Sequence, residues 1–133
     1  MTKPEMFISL PGRSLFAVTL LAGALTVVPA WAEHAGFKDD IFPIIKKNCV
    51  ACHQPGGEGY EKSGLDMTTY EAIMKGTKHG PIVVPGDAYL SNLNVLIEGR
   101  AARHIRMPYH GKKLTKWQRL LILRWVNRGA KHN

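Results

Sequence analysis

Cys49-Val50-Ala51-Cys52-His53 sets two thiols and an imidazole in the order C-x-x-C-H. That spacing brings both sulfurs to one side of a single helical turn. There each can form a thioether with one vinyl-bearing edge of a porphyrin, while the imidazole that follows lies under the iron. The motif therefore predicts one covalently attached haem c per chain, bound through Cys49 and Cys52 and ligated by His53. Two other readings compete with it. A zinc site would have to recruit distant histidines, because the chain has 2 cysteines in all and structural zinc usually pairs a second local ligand cluster with the first. A thiol redox pair, or an accidental one, is the other alternative.

One histidine leaves the sixth iron position open. The candidates are Met67, Met74, Met107, His79, His104 and His110. Met107 precedes Pro108 in an irregular segment between two predicted helices, so loop geometry can aim its thioether, and it is the favoured ligand. Met74 follows Ile73 in an amphipathic helix and reads as core packing. Met67 sits at a helix entrance as a weaker rival. The histidines read as surface or hydrogen-bonded side chains, with His104 and His110 close enough to Met107 to substitute. An open site is the remaining case. A His/Met pair keeps iron six-coordinate, and the soft thioether favours the ferrous state and raises the reduction potential. Apolar packing raises it further, because low dielectric penalises the extra charge of ferric iron. Trp117, Leu121 and Trp125 either supply that packing or, for the tryptophans, simply fill a helix interface. The free ring nitrogen of His53 is expected to donate to a backbone carbonyl, with Pro81 or Pro85 as possible neighbours of that carbonyl.

The elements that must position these groups follow a targeting segment. Lys3 and Arg13 form a basic start, residues 14–28 an apolar run, and Pro29-Ala30-Trp31-Ala32 an A-x-A cleavage site. Residues 1–32 therefore read as a cleavable secretory signal peptide, too short for a membrane span of about 20 apolar residues. Export fits haem attachment outside a bacterial cytoplasm, which makes the periplasm the expected location. Residues 33–133 suffice for one compact domain and not for two. A covalent haem would enlarge the small core such a domain can build.

In that domain, Asp39 and Asp40 before Ile41, Phe42, Ile44 and Ile45, with Lys46 and Lys47 behind, predict a helix with acid at its start and base at its end. Pro43 restricts its start to near Asp39 or Asp40. Residues 54–64, rich in Gly and Pro, read as a loop. Thr68 with Glu71 predicts a capping box for a short helix that Gly76 ends. Asp87 or Ser91 caps a helix containing Leu90, Leu93, Leu96 and Ile97, with Gly99 after it. Thr115 with Gln118 caps the strongest helix, which carries Leu120, Leu121, Leu123, Trp125 and Val126 and stops at Gly129. No alternating strand pattern is present. The expected fold class is all-α, four to five short helices threaded by long loops around one covalent haem.

Charge is uneven within the net +8. Residues 33–98 carry six basic and nine acidic side chains, residues 99–133 ten basic and none acidic. This basic end reads equally as a solvated face and as a surface that steers an acidic redox partner. Nucleic acid is not an expected partner: the compartment is wrong, and no recognised binding motif accompanies the basic residues.

The C-x-x-C-H motif, the late Met107-Pro108 pair, the Pro85-Gly86 turn and the terminal Trp125-Val126-Asn127-Arg128-Gly129-Ala130 together resemble small monohaem class I cytochromes c, over nearly all of residues 33–133. The resemblance implies the class I cytochrome c fold with crossed terminal helices. It also implies thioethers at Cys49 and Cys52, and His53 and Met107 as axial ligands. The chain departs from many members in lacking a Gly-Pro soon after the haem motif. The function implied is a diffusible one-electron carrier between periplasmic redox proteins, without catalysis of its own and without a membrane anchor after cleavage. The alternative is a haem subunit held in a larger dehydrogenase or oxidase complex. A haem enzyme or gas sensor would need a displaceable sixth ligand, and no acid–base constellation adjoins the motif.

Overall fold

A computed structural model of the chain describes residues 35–133; the predicted signal peptide, residues 1–32, lies outside the described residues. A π-helical turn, Phe37–Ile41, runs directly into α1, Phe42–Asn48. Then come α2 (Glu58–Ser63), α3 (Tyr70–Lys75), α4 (Asn92–Glu98), a 3₁₀ turn (Arg103–Ile105) and α5 (Lys116–Asn127). The described residues contain no strand beyond an isolated bridge between Thr77 and Gly80. The fold is all-α.

The first helical segment starts earlier than Asp39. The Asp40 carboxylate accepts from the Gly36 N–H at 2.9 Å, and the Gly36 carbonyl accepts from Asp40 and Ile41 at 3.0 and 3.2 Å, so the turn closes two residues sooner. Asp39 and Asp40 lie in its first turn. Pro43 falls at the start of α1, where its missing N–H costs nothing, and Lys46 and Lys47 occupy the last turn. Both ends complement the helix dipole.

Phe37, Ile41 and Ile45 from this segment share one buried core with Ile122, Trp125 and Val126 of α5. The Phe37 ring lies 5.5 Å from that of Trp125 and 5.0 Å edge-on to Tyr70. Trp125 is 2% exposed, and its Nε1 donates to the Lys131 carbonyl at 2.9 Å. It therefore fills the interface between the terminal helices. Trp117 instead is 59% exposed with Arg124 stacked over it, so it belongs to the surface and contributes no core packing. The capping box of α5 forms as expected: Thr115 accepts from the Gln118 N–H at 3.1 Å and the Gln118 side chain accepts from the Thr115 N–H at 2.9 Å.

Two local expectations need correction. The cap of α3 is Thr69, whose hydroxyl accepts from Ala72 N–H at 3.1 Å; the Thr68 backbone N–H donates to the Asp66 carboxylate at 2.9 Å, in the turn that precedes the helix. Residues 54–64 are not all loop: α2 forms inside them, bound across one turn by a Lys62–Glu58 ion pair at 2.5 Å. Its glycine weakens helix propensity but is required by what the helix packs against.

Candidate functional site

The motif sits where α1 ends. Cys49 donates its N–H to the Ile45 carbonyl at 2.8 Å, closing the helix, and its own carbonyl accepts from both Cys52 at 3.1 Å and His53 at 3.0 Å. One turn therefore gathers Cys49, Cys52 and His53, as their spacing predicts. Cys52 is exposed, while Cys49 and His53 are half-buried.

The Gly-rich stretch behind the motif folds onto it. The Cys52 carbonyl accepts from Tyr60 N–H at 2.9 Å, and the His53 carbonyl accepts from Met67 N–H at 2.8 Å. A Cβ at Gly57 would stand 2.5 Å from the Cys52 carbonyl oxygen. A Cβ at Gly59 would stand 2.7 Å from Cε1 and 2.9 Å from Nδ1 of His53. Only glycine lets α2 approach the imidazole so closely. Gly57 and Gly59 are thus positioning residues that sequence reasoning treated as loop punctuation; the signal available was the run of glycines within six residues of His53.

Burial lowers the His53 pKa, an effect partly offset by the Leu65 carbonyl, which favours the protonated ring. No contact to Nδ1 meets hydrogen-bond geometry, however, and that nitrogen is buried without a partner. The backbone that acts on the ring is that of Leu65, and no carbonyl, beside Pro81 or Pro85 or elsewhere among the described residues, is hydrogen-bonded to Nδ1. Burial pushes the Cys49 thiol up to about 11, with the neighbouring Cys52 adding to the rise. Redox-active thiol pairs work the other way, by stabilising a thiolate, so this environment disfavours the redox reading. For zinc, the described residues offer no group of three or more His, Cys, Asp or Glu side chains.

Met107 lies after the 3₁₀ turn, its N–H donating to the Leu96 carbonyl of α4 at 3.2 Å. Its side chain is partly buried against the core. The segment following it returns toward the motif side of the fold. The Glu58 carboxyl of α2 is lowered chiefly by Lys62, through its hydrogen bond and then its charge, and also by His110. Lys62 is raised mainly by Glu58 and feels Tyr109 as well. Among the rivals, Met67 is buried in the core at 2% exposure, Met74 packs partly against the core, and His79, His104 and His110 are exposed.

These residues fit a haem. Two free thiols stand beside one imidazole on one turn, and Val50, Met107, Leu121 and Leu123 are apolar side chains left only partly covered by the core. Within α4, Asn94 is fully buried, yet neither its Nδ2 nor its Oδ1 has a partner. Each such group left unsatisfied costs about 1–3 kcal/mol. Two cavities lie apart from the motif. One of about 370 Å³ is lined by Ala35, Trp125, Arg128, Lys131 and Asn133, the other, of about 450 Å³, by Glu98, Gly99, Ala101, Arg106 and Lys113.

A family model described as planctomycete cytochrome C matches residues 49–109, a span that begins at Cys49 and takes in Met107. No curated protein and no solved structure matches the chain. The family match supports a cytochrome c-like family for this chain, and such a family implies covalently bound haem c and haem-based electron transfer.

Proposed function

We propose that the chain is a periplasmic one-electron carrier with one haem c, attached through Cys49 and Cys52 and axially ligated by His53 and Met107. The observation that carries this reading is the single turn that gathers both thiols and the imidazole, with the ring backed by Gly59 and its Nδ1 shut away from solvent. Haem bound there supplies reversible one-electron exchange between ferrous and ferric iron. The polypeptide's part is to hold and to insulate. Cys49 and Cys52 anchor the group, while α2 limits rotation of the imidazole through Gly59. Tethering of Met107 to the Leu96 carbonyl limits the thioether's reach. Apolar side chains around the site exclude water and favour the lower-charge ferrous state.

The basic residues of the last third give the partner its character. Lys112, Lys113, Lys116, Arg128 and Lys131 are all exposed, which suits weak, salt-sensitive docking to an acidic redox protein. Residues 1–32 as a cleaved signal peptide would deliver the domain to the periplasm, and among the described residues no helix is long and apolar enough to cross a membrane.

Two measurements on the exported protein test this. The reduced form should fail to bind carbon monoxide at neutral pH, because Met107 closes the sixth position; ready binding would move the reading to a haem enzyme or gas sensor. On size exclusion of the native protein, elution as a free small protein supports the diffusible carrier. Elution only within a large assembly would replace it with a resident haem subunit.

A further inference from the structure

We propose that the outer face of α5 is the surface on which an acidic redox protein docks, with the Trp117 indole as its apolar anchor and the Arg124 guanidinium as the group that meets the partner's carboxylate; this rests on the carrier reading above. A lone exposed apolar side chain needs no explanation, but the setting of this one does. Trp117, Leu121 and Arg124 follow one another at spacings of four and three, so they share one stripe of the helix. Trp117 and Arg124 lie on the side away from buried Ile122, Trp125 and Val126. The indole is 59% exposed, and the guanidinium carbon of Arg124 sits over its ring, 5.9 Å from the centroid. An arginine stacked on an aromatic face is held in place while its N–H donors stay free, and among the described residues Arg124 enters no ion pair. The same holds for Lys112, Lys113 and Lys116, all exposed around the start of the helix. Residues 99–133 contain no acidic side chain that could meet them.

Such a face calls for a partner with two properties. Unpaired cations are complemented by carboxylates on a docking protein, and tryptophan and arginine near the centre of an interface dominate its binding energy. The partner is therefore an acidic protein surface with an apolar recess for the indole. A lipid surface fits less well: a helix that lies in a membrane interface buries a broad apolar face there, and that of α5, Ile122, Trp125 and Val126, is already spent on the core. The two kinds of contact act on different steps. The lysines raise the encounter rate in a salt-sensitive way, whereas the indole slows dissociation and is indifferent to salt screening.

The test follows reduction of the ferric holoprotein by the combined membrane and periplasmic fractions of its source cells, at increasing carrier concentration and at low and high salt. Trp117→Ala is expected to raise KM about five- to thirty-fold at either salt, the loss an aromatic anchor carries, with kcat unchanged, and Arg124→Gln should move KM in the same direction. Lys113→Gln combined with Lys116→Gln should raise KM at low salt and converge with wild type at high salt. Reduction by ascorbate, which needs no docking, should be equal in all of them. Wild-type KM for Trp117→Ala at both salts would overturn the proposal. So would an equal slowing with ascorbate, which would place the effect at the haem. Co-sedimentation of wild type, but not of Trp117→Ala, with phosphatidylglycerol vesicles would overturn it in favour of a lipid contact. If the fractions leave wild type oxidised while ascorbate reduces it, the carrier reading itself fails and takes this proposal with it; if wild type is reduced and Trp117→Ala behaves like it, the docking proposal alone fails.

Discussion

Replacing Gly59 with alanine adds one methyl group, and two opposed effects decide the result. In α2 the alanine gains helix propensity, up to about 1 kcal/mol. Against this, the new Cβ would stand 2.7 Å from His53 Cε1, 2.9 Å from Nδ1 and 3.0 Å from the Cys52 carbonyl oxygen. The ring cannot rotate away without losing its place in the site, and the carbonyl is main chain, so α2 must move off the motif. Overpacking of this kind costs roughly 1–3 kcal/mol. The net expectation is a loss of about 1 kcal/mol, or about 4–8 °C in Tm for a domain of this size, with the ferric absorption altered because the imidazole is displaced. Gly57→Ala should be worse, since its Cβ would meet the Cys52 carbonyl oxygen at 2.5 Å and no side chain can give way. Denaturant unfolding of the holoprotein, followed at the haem absorption, reads both effects. A Gly59→Ala protein more stable than wild type with an unchanged spectrum would show that α2 does not brace the imidazole.

Further outcomes follow from the same structure. Trp125→Ala should cost about 3–5 kcal/mol, because the ring is 2% exposed between the terminal helices, whereas Trp117→Ala at the surface should stay within about 0.5 kcal/mol; equal losses in urea unfolding would contradict the packing. In reduced protein made without haem attachment, an alkylating agent at neutral pH should modify exposed Cys52 well before Cys49, whose thiol is pushed up to about 11; mass spectrometry of timed samples would reveal the reverse order. Glu58 is held below its ordinary 4.5 chiefly by Lys62, so its contribution to stability is present above pH 4.5 and is lost as pH falls through the lowered folded value. Glu58→Gln should therefore differ from wild type most above pH 4.5 and converge with it in acid, by a small, salt-screened amount given the full exposure of the pair; a difference independent of pH would refute the pairing.

Much of this architecture is legible in the sequence because it rests on local chemistry. The Thr115–Gln118 capping box, Pro43 at a helix start and the turn closed on Cys49 depend on neighbours within four residues. What failed to show depends on contacts between segments. The stretch 54–64 reads as loop because glycine carries a propensity penalty, and only the closeness of His53 explains why a helix there needs Gly59. Trp117 and Trp125 share one helix and one residue type, yet α4 and the Phe37 turn cover a single face of α5, so one is buried and the other is surface. The return of the chain that hydrogen-bonds Met67 N–H to the His53 carbonyl at 2.8 Å is encoded by no spacing rule. Asn94 reads as an ordinary polar helix residue until its burial is known.

The central claim, a covalent haem held by Cys49 and Cys52 between His53 and Met107, is tested most directly by redox-titrated absorption of the exported protein. The expected result is c-type haem that stays with the chain on denaturation, a low-spin ferric spectrum with methionine-to-iron absorption, and a single one-electron transition. Haem released by denaturant, or a ferric spectrum of open or bis-histidine coordination, would contradict it.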